Sequence, residues 1–291
     1  MTEPLFVSTT FLEDGSPLFE ALNLCKRLDI EGVELGSNHC FEKDYSYIQN
    51  YEFRLLTHNY FPIPEDDFVV NIASKNEDIR QRSLQHVRKA IDFSDDVGAE
   101  IYTLHPGFIS DPAGKKRSLE NYDFEFGHAD IRGSAHKLTT ELMFKSLDEL
   151  VKYAQKRSVK LAIETEGSVN HHNQLIMQTL EEYEILFEHF NSDELGLNLN
   201  IGHLNLASKY FDFDAFEFAH FIQPSVVAME LSHNFGQNDD HLPLQRGAWY
   251  WPLIFSEGFN GIPRILEFRQ STREKLEASI SLFRSYQNEI V

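Results

Sequence analysis

Carboxylates and imidazoles recur along the chain at one kind of place, at or just behind short runs of β-branched and large apolar residues. Glu34 stands in Val33-Glu34-Leu35-Gly36, His58 in Thr57-His58-Asn59-Tyr60 and His105 in Leu104-His105-Pro106-Gly107. Further on come Glu164-Thr165-Glu166-Gly167, Asn200-Ile201-Gly202-His203, Glu230-Leu231-Ser232-His233-Asn234 and Glu267-Phe268-Arg269. A lone histidine or glutamate at such a point is ordinarily a hydrogen-bonded or salt-bridged structural group. Their repetition carries more weight, because carboxylates and imidazoles buried together are costly unless they pair or hold a metal. The chemistry open to such a set is acid–base catalysis, metal binding or both. Glu166 competes with Glu164, since two-residue spacing turns both to one face of a strand. A strand ending near residue 165 would instead release Glu166 into the following loop.

These residues can meet only if the runs that carry them are neighbouring strands. Eight runs qualify: 5–8, 32–35, 54–57, 100–105, 160–164, 195–200, 226–231 and 264–267. Several are apolar on both faces, as strands covered by helices are. Amphipathic segments alternate with them at 17–28, 76–97, 142–157, 179–190 and 273–286. Ser16 and Pro17 suit the start of the first, and Gly98 suits the end of the second. Strand–helix alternation predicts βαβ units on a parallel sheet. At 291 residues the length suits one (β/α)8 TIM barrel of about 250 residues or more. No Gly/Ser/Pro-rich linker divides the chain, so residues 1–291 read as a single domain. Two irregular stretches, 61–74 and 106–134, follow strands three and four. In a barrel they would cover the C-terminal mouth, where active sites of this fold lie.

Composition narrows the partners. A formal net charge of −20 weighs against nucleic acid, whose binding relies on Lys and Arg neutralising phosphates. The excess acid reads as a solvated surface. The two cysteines, Cys25 and Cys40, are too few for a disulfide framework or a CxxC metal site. There is no basic-then-apolar leader and no apolar run of ~18 residues. A soluble cytoplasmic protein with no membrane partner is the expectation.

The histidines behind strands three and four, Glu164-x-x-Gly167, Asn200-x-x-His203 and Asp239-Asp240-His241-Leu242-Pro243-Leu244 together carry a resemblance. The chain resembles the xylose isomerase-like barrel superfamily, which holds sugar isomerases and epimerases, inosose dehydratases and endonuclease IV. The resemblance covers nearly the whole chain and implies a sugar or sugar-phosphate isomerase or epimerase of carbohydrate metabolism. It further implies a proton moved next to a carbonyl through a metal-stabilised enediolate, with Glu164 and Glu267 as the paired acid and base. Carried over by motif, the metal ligands are Glu164, Asn200, Glu230 and Glu267. Asn200 stands where the family has Asp and Glu230 where it has His. The implied set is all oxygen, which favours Mn2+ or Mg2+ over Zn2+. His58, His105, His203, His233, Asp239 and His241 are the implied substrate-binding residues. The aromatic runs 59–62 and 249–251 would supply faces for sugar stacking or, more simply, packing, and His171-His172 would sit in a solvated loop. The same resemblance admits a lyase of the inosose dehydratase type, a metal-dependent abasic-site endonuclease and a non-catalytic sugar-binding barrel. It also makes a homo-oligomer an expectation.

Overall fold

The computed structural model describes residues 4–111, 133–167 and 174–290. His171, His172 and most of the irregular 106–134 stretch lie outside them. Eight strands are present: β1 (Leu5–Ser8), β2 (Gly32–Leu35), β3 (Arg54–His58), β4 (Ile101–Leu104), β5 (Lys160–Glu164), β6 (Gly196–Asn200), β7 (Val226–Leu231) and β8 (Arg264–Leu266). They form a closed barrel in chain order, every pair parallel, with β1 pairing β8. The fold is the expected (β/α)8 TIM barrel.

The covering helices are α1 (Leu18–Arg27), α2 (Glu77–Val97), α3 (Ser134–Gln155), α4 (Leu180–His189), α5 (Ile201–Phe211), α6 (Ala215–Ile222), the single turn α7 (Trp251–Ile254) and α8 (Arg273–Ile290). Their ends obey local chemistry. Asn76 caps α2 by accepting from the Asp78 amide, and Gly98 ends it with φ 72°, the left-handed conformation that glycine adopts without strain. Thr179 and Glu182 form a capping box on α4.

Two local expectations need correcting. Pro17 is extended and precedes α1, and Ser16 does not cap it. The Leu18 amide instead donates to Glu42 Oε1 at 3.2 Å, a carboxylate at a helix N-terminus. Helix α3 begins at Ser134 rather than Leu142; Thr139 is buried within the added turns, where its hydroxyl returns to the Ala135 carbonyl. A 3-10 segment, Ser46–Asn50, stands between β2 and β3 where a helix belongs in the ideal repeat, while α5 and α6 share the β6–β7 crossover. Among the described residues no helix is long and apolar enough to cross a membrane.

Candidate active site

Alternation along the strands builds the site. Phe6, Leu56, Ile101, Ala162, Ala228 and Ile265 form a buried apolar cluster of their own. The residues that alternate with them, such as Val7, Leu55, Tyr102, Ile163, Met229 and Leu266, belong to the main core. The small cluster is therefore the inside of the barrel and the large one is the packing beneath the helices. Two residues further along each strand the inside turns polar. Ser8, Glu34, His58, Thr103, Glu164, Asn198, Glu230 and Glu267 occupy those positions, and none is more than 4% exposed. A further two residues reach Thr10, Gly36, His105, Glu166, Asn200, Ser232 and Arg269.

Glu164 is the hub of this set. Its Oε2 lies 2.9 Å from His58 Nε2 and 3.5 Å from His105 Nε2. Its Oε1 lies 3.1 Å from His203 Nδ1 and accepts from Asn200 Nδ2 at 2.8 Å. The other nitrogen of His105 pairs with Glu166 Oε1 at 2.7 Å. Glu166 thus faces the mouth although β5 ends at Glu164. A second node is Asp239, whose Oδ2 lies 2.8 Å from His241 Nε2 and 3.5 Å from His203 Nε2. Glu267 stands 3.1 Å from His241 Nδ1. Gly167 is required by the backbone here, since a Cβ on it would lie 2.0 Å from the His203 carbonyl oxygen.

A cleft of about 510 Å3 opens above these groups, its floor made by His58, His105, Glu164, His203, His241 and Glu267. That volume suits a small-molecule ligand. Phe41, Asn59, Tyr60, Phe108 and Arg269 are among its walls.

The charges alternate in sign. Burial pushes the Glu164 carboxyl up, but His105, His203 and His58 outweigh it and hold it well below the usual carboxylate range. Burial is likewise overcome at Glu267, which His241 holds at about 2. The imidazoles respond in kind. Against the cost of burial, the bond to Glu164 and the charges of Glu34, Glu164 and Glu267 raise His58 to about 9. His241 also reaches about 9, despite burial and Arg269, through Asp239 and Glu267. Glu230 behaves oppositely: burial lifts it well above the usual range, and the charges of Glu164, Glu267 and Glu34 lift it further.

The implied substrate and metal residues fall into three groups. His58, His105, His203 and His241 stand on the cleft floor with Glu164 and Glu267, and Asp239 joins them through His203 and His241. Asn200 and Glu230 are fully buried and do not line the cleft. Asn200 caps α5, its Oδ1 accepting from the His203 amide at 3.1 Å. Its NH2 therefore faces the acids and donates to Glu164 and to Glu230 Oε2 at 2.9 Å. As a metal ligand it would have to turn its oxygen inward and release the cap. His233 stays outside the cleft, with its ring against Phe235 and Tyr250. With Glu230 and Ser232 turned inward, the alternation of β7 carries His233 the other way. Of the aromatic runs, Tyr60 lines the cleft, whereas Trp251 stacks on Tyr286 at 3.9 Å and packs the surface of the barrel.

Two triads have the chemistry of metal sites. The ligand atoms of His58, His105 and Glu164 lie within 4.8 Å of one another, and so do those of His203, Asp239 and His241. Each offers two imidazoles and a carboxylate. His203 Nδ1 is bonded to the Thr165 carbonyl at 2.9 Å, which fixes the ring and leaves Nε2 for a metal, the usual outer support of a ligating histidine. Asp239 Oδ1 is buried without a hydrogen-bond partner. The residues present thus fit a divalent cation.

The profile of the xylose isomerase-like TIM barrel family matches residues 22–286. The chain belongs to this family. It is 24% identical over 216 residues to the uncharacterized protein MJ1311 of Methanocaldococcus jannaschii, a stretch covering 73% of this chain and 64% of that protein. Among solved structures, a D-tagatose 3-epimerase-like protein superposes with TM-score 0.75 at 19% identity, covering 100% of this chain and 98% of that one. The 3-keto-D-glucoside 4-epimerase YcjR of E. coli does so with TM-score 0.63 at 10% identity, over 97% and 99% of the two chains. At these identities the structural likeness speaks for the fold.

Proposed function

We propose that this barrel is a divalent-metal-dependent isomerase or epimerase of a sugar or sugar phosphate, moving a proton on carbon next to a carbonyl. The observation that carries the proposal is the pair Glu164 and Glu267. Both are ionised carboxylates on the floor of one cleft, on different strands, each held by imidazoles. Such a reaction needs an ionised carboxylate to take a proton from carbon and a protonated group to return one; Glu267 supplies the first, and Glu164, once it has received a proton from the imidazoles that hold it, the second. The epimerase names carried by the two structural neighbours point the same way.

The two triads would hold the cation, and their nitrogen content suits Zn2+ or Mn2+ better than Mg2+. A bound divalent ion would draw charge from the substrate's oxygens and make the neighbouring proton easier to remove. Glu267, a member of neither triad, is the proposed base. The His241 imidazole holds it ionised and fixes its direction. Glu164, on the other side of the floor, takes the reciprocal role, and His58, His105 and His203 orient it as well as facing the substrate's hydroxyls. Phe41, Tyr60 and Phe108 enclose the ligand and limit the water around it.

The test is to incubate the metal-loaded protein with a panel of ketoses, aldoses and their phosphates in deuterated water. The expected result is one deuterium fixed at carbon without loss of mass as water, abolished in Glu267→Gln. A dehydrated product would replace this reading with a lyase. Nicking of an abasic duplex would replace it with phosphodiester hydrolysis, a reaction that the −20 charge disfavours.

A further inference from the structure

The polar ring inside the barrel contains a place that the cleft does not reach. Glu34, Asn198 and Glu230 are fully buried, and none of them lines the cleft. Carboxyl oxygens of Glu34 and Glu230 lie within 4.8 Å of each other and of a His58 ring nitrogen. Asn198 is fixed on the same spot, its Nδ2 donating to Glu230 Oε1 at 2.6 Å. Here hydrogen bonding runs out. Among the described residues, the Ser8 hydroxyl is the one hydrogen-bonding group that reaches Glu34, at a geometry too poor to satisfy either carboxyl oxygen, and Oδ1 of Asn198 and Nδ1 of His58 also have no partner. Folded proteins rarely leave a buried carboxyl so poorly paired, and two such carboxyls side by side mark a missing ion or water.

The donors decide which. They are oxygens, apart from an imidazole whose Nε2 is already taken by Glu164. Burial raises both carboxyls; on giving up their protons as a divalent ion binds, they would supply the charge that balances it. This is the donor set of a hard cation and differs from the two-imidazole triads of the mouth. We propose that Glu34 and Glu230 hold a structural divalent cation of the Mn2+/Mg2+ class inside the barrel, beneath the cleft, with the Asn198 amide bracing Glu230. It ties β2 to β7 across the barrel and steadies Glu230, which shares the Asn200 amide with Glu164. The inference does not depend on the reaction proposed above.

Its test reads metal content and needs no substrate. Full-length protein is stripped with EDTA, titrated with Mn2+, and bound Mn2+ per chain is counted by elemental analysis after gel filtration. Glu34→Gln is expected to bind one Mn2+ fewer than wild type and to lose part of the Mn2+-dependent rise in melting temperature. The double variant His105→Asn/Asp239→Asn, which disables both mouth triads, is expected to keep that one equivalent. If Glu34→Gln does not fold, Asn198→Ala serves in its place, with Mn2+ affinity for the same equivalent about tenfold weaker or more. Equal stoichiometry and affinity in wild type and the Glu34 or Asn198 variant would overturn the proposal. So would a mouth-disabled double variant that takes up no Mn2+, leaving water as the occupant.

Discussion

Asn200→Asp tests how the site is balanced. The Asn200 oxygen caps α5, while its NH2 donates to Glu164 at 2.8 Å and Glu230 at 2.9 Å and lies 3.5 Å from Glu267. Aspartate keeps the cap and replaces the NH2 with an oxygen. Each lost bond to a charged acceptor is worth about 1.5–3 kcal/mol. The new charge faces three acids in a buried place, but its cost has a ceiling, because the aspartate takes up a proton once its pKa is driven to the working pH. From an unperturbed value of about 3.9 to pH 7 that ceiling is about 4 kcal/mol, at 1.36 kcal/mol per unit. A protonated aspartate can also restore one donor. The expected destabilisation in EDTA at pH 7 is therefore about 4–6 kcal/mol, or roughly 10 °C in Tm at ~2 °C per kcal/mol. Since the folded-state pKa of this acid is raised, the charge part of the penalty is absent near pH 4, leaving the cost of one lost donor, and it grows as pH rises toward 7. A divalent cation reverses the balance, because a carboxylate is the better ligand. Scanning calorimetry of both proteins from pH 4 to 7, with EDTA and then with Mn2+ or Zn2+, reads every part of this. A variant as stable as wild type in EDTA at pH 7, with no pH-dependent gap, would refute the placement of the Asn200 amide.

Other outcomes follow from the same geometry. His58 and His241 are raised to about 9, so in EDTA their contribution to stability is complete below about pH 6.5 and is lost as pH rises through 9, while saturating Zn2+ or Mn2+ flattens the profile by displacing those protons; thermal scans against pH check this. Glu267→Gln is expected to lower turnover at least ~100-fold with metal content unchanged, whereas Glu164→Gln lowers both, as steady-state kinetics and elemental analysis of the same samples would show. Gly167→Ala puts a methyl against the His203 carbonyl and should cost about 1–3 kcal/mol or more in urea unfolding. His233→Ala, outside the cleft, should leave kcat and KM within about twofold.

The sequence was most legible where period and position coincide. The β5 run 160–164 and the β7 run 226–231 are observed as expected, since an apolar run flanked by polar residues fixes both ends. The Asn200-x-x-His203 pair was visible, but its structural sense was not. Asn200 ends a strand and starts a helix at once, so a residue read as a metal ligand also serves as a cap, and helix α5 behind it went unrecognised. Glu34 was visible as a glutamate inside Val33-Glu34-Leu35, yet nothing local separates it from a surface glutamate on an edge. What identifies it is phase. It lies two residues beyond Gly32, as Glu164 lies two beyond Ala162 and Glu230 two beyond Ala228. The same count turns His233 outward. Distances such as His203 to Asp239 depend on how the loop after β7 folds back over the mouth, and the local pattern of the chain does not encode that.

The two catalytic candidates differ in how much of each carboxylate is already committed. A carboxylate has about four acceptor positions. Glu164 faces His58, His105, His203 and Asn200 at 2.8–3.5 Å, so its lone pairs are taken, and a cation held by His58 and His105 would replace their two contacts on Oε2. Glu267 has His241 at 3.1 Å and Asn200 only at 3.5 Å, and both contacts fall on Oε2. Its Oε1 carries neither of them. A base must present an open lone pair to the carbon acid, which favours Glu267 for removing the proton. It leaves Glu164, whose charge gathers imidazoles around the mouth, the reciprocal role of returning a proton that those imidazoles relay. The symmetry that the sequence suggests for the pair is therefore one of position on the barrel, and the contacts divide their work unequally.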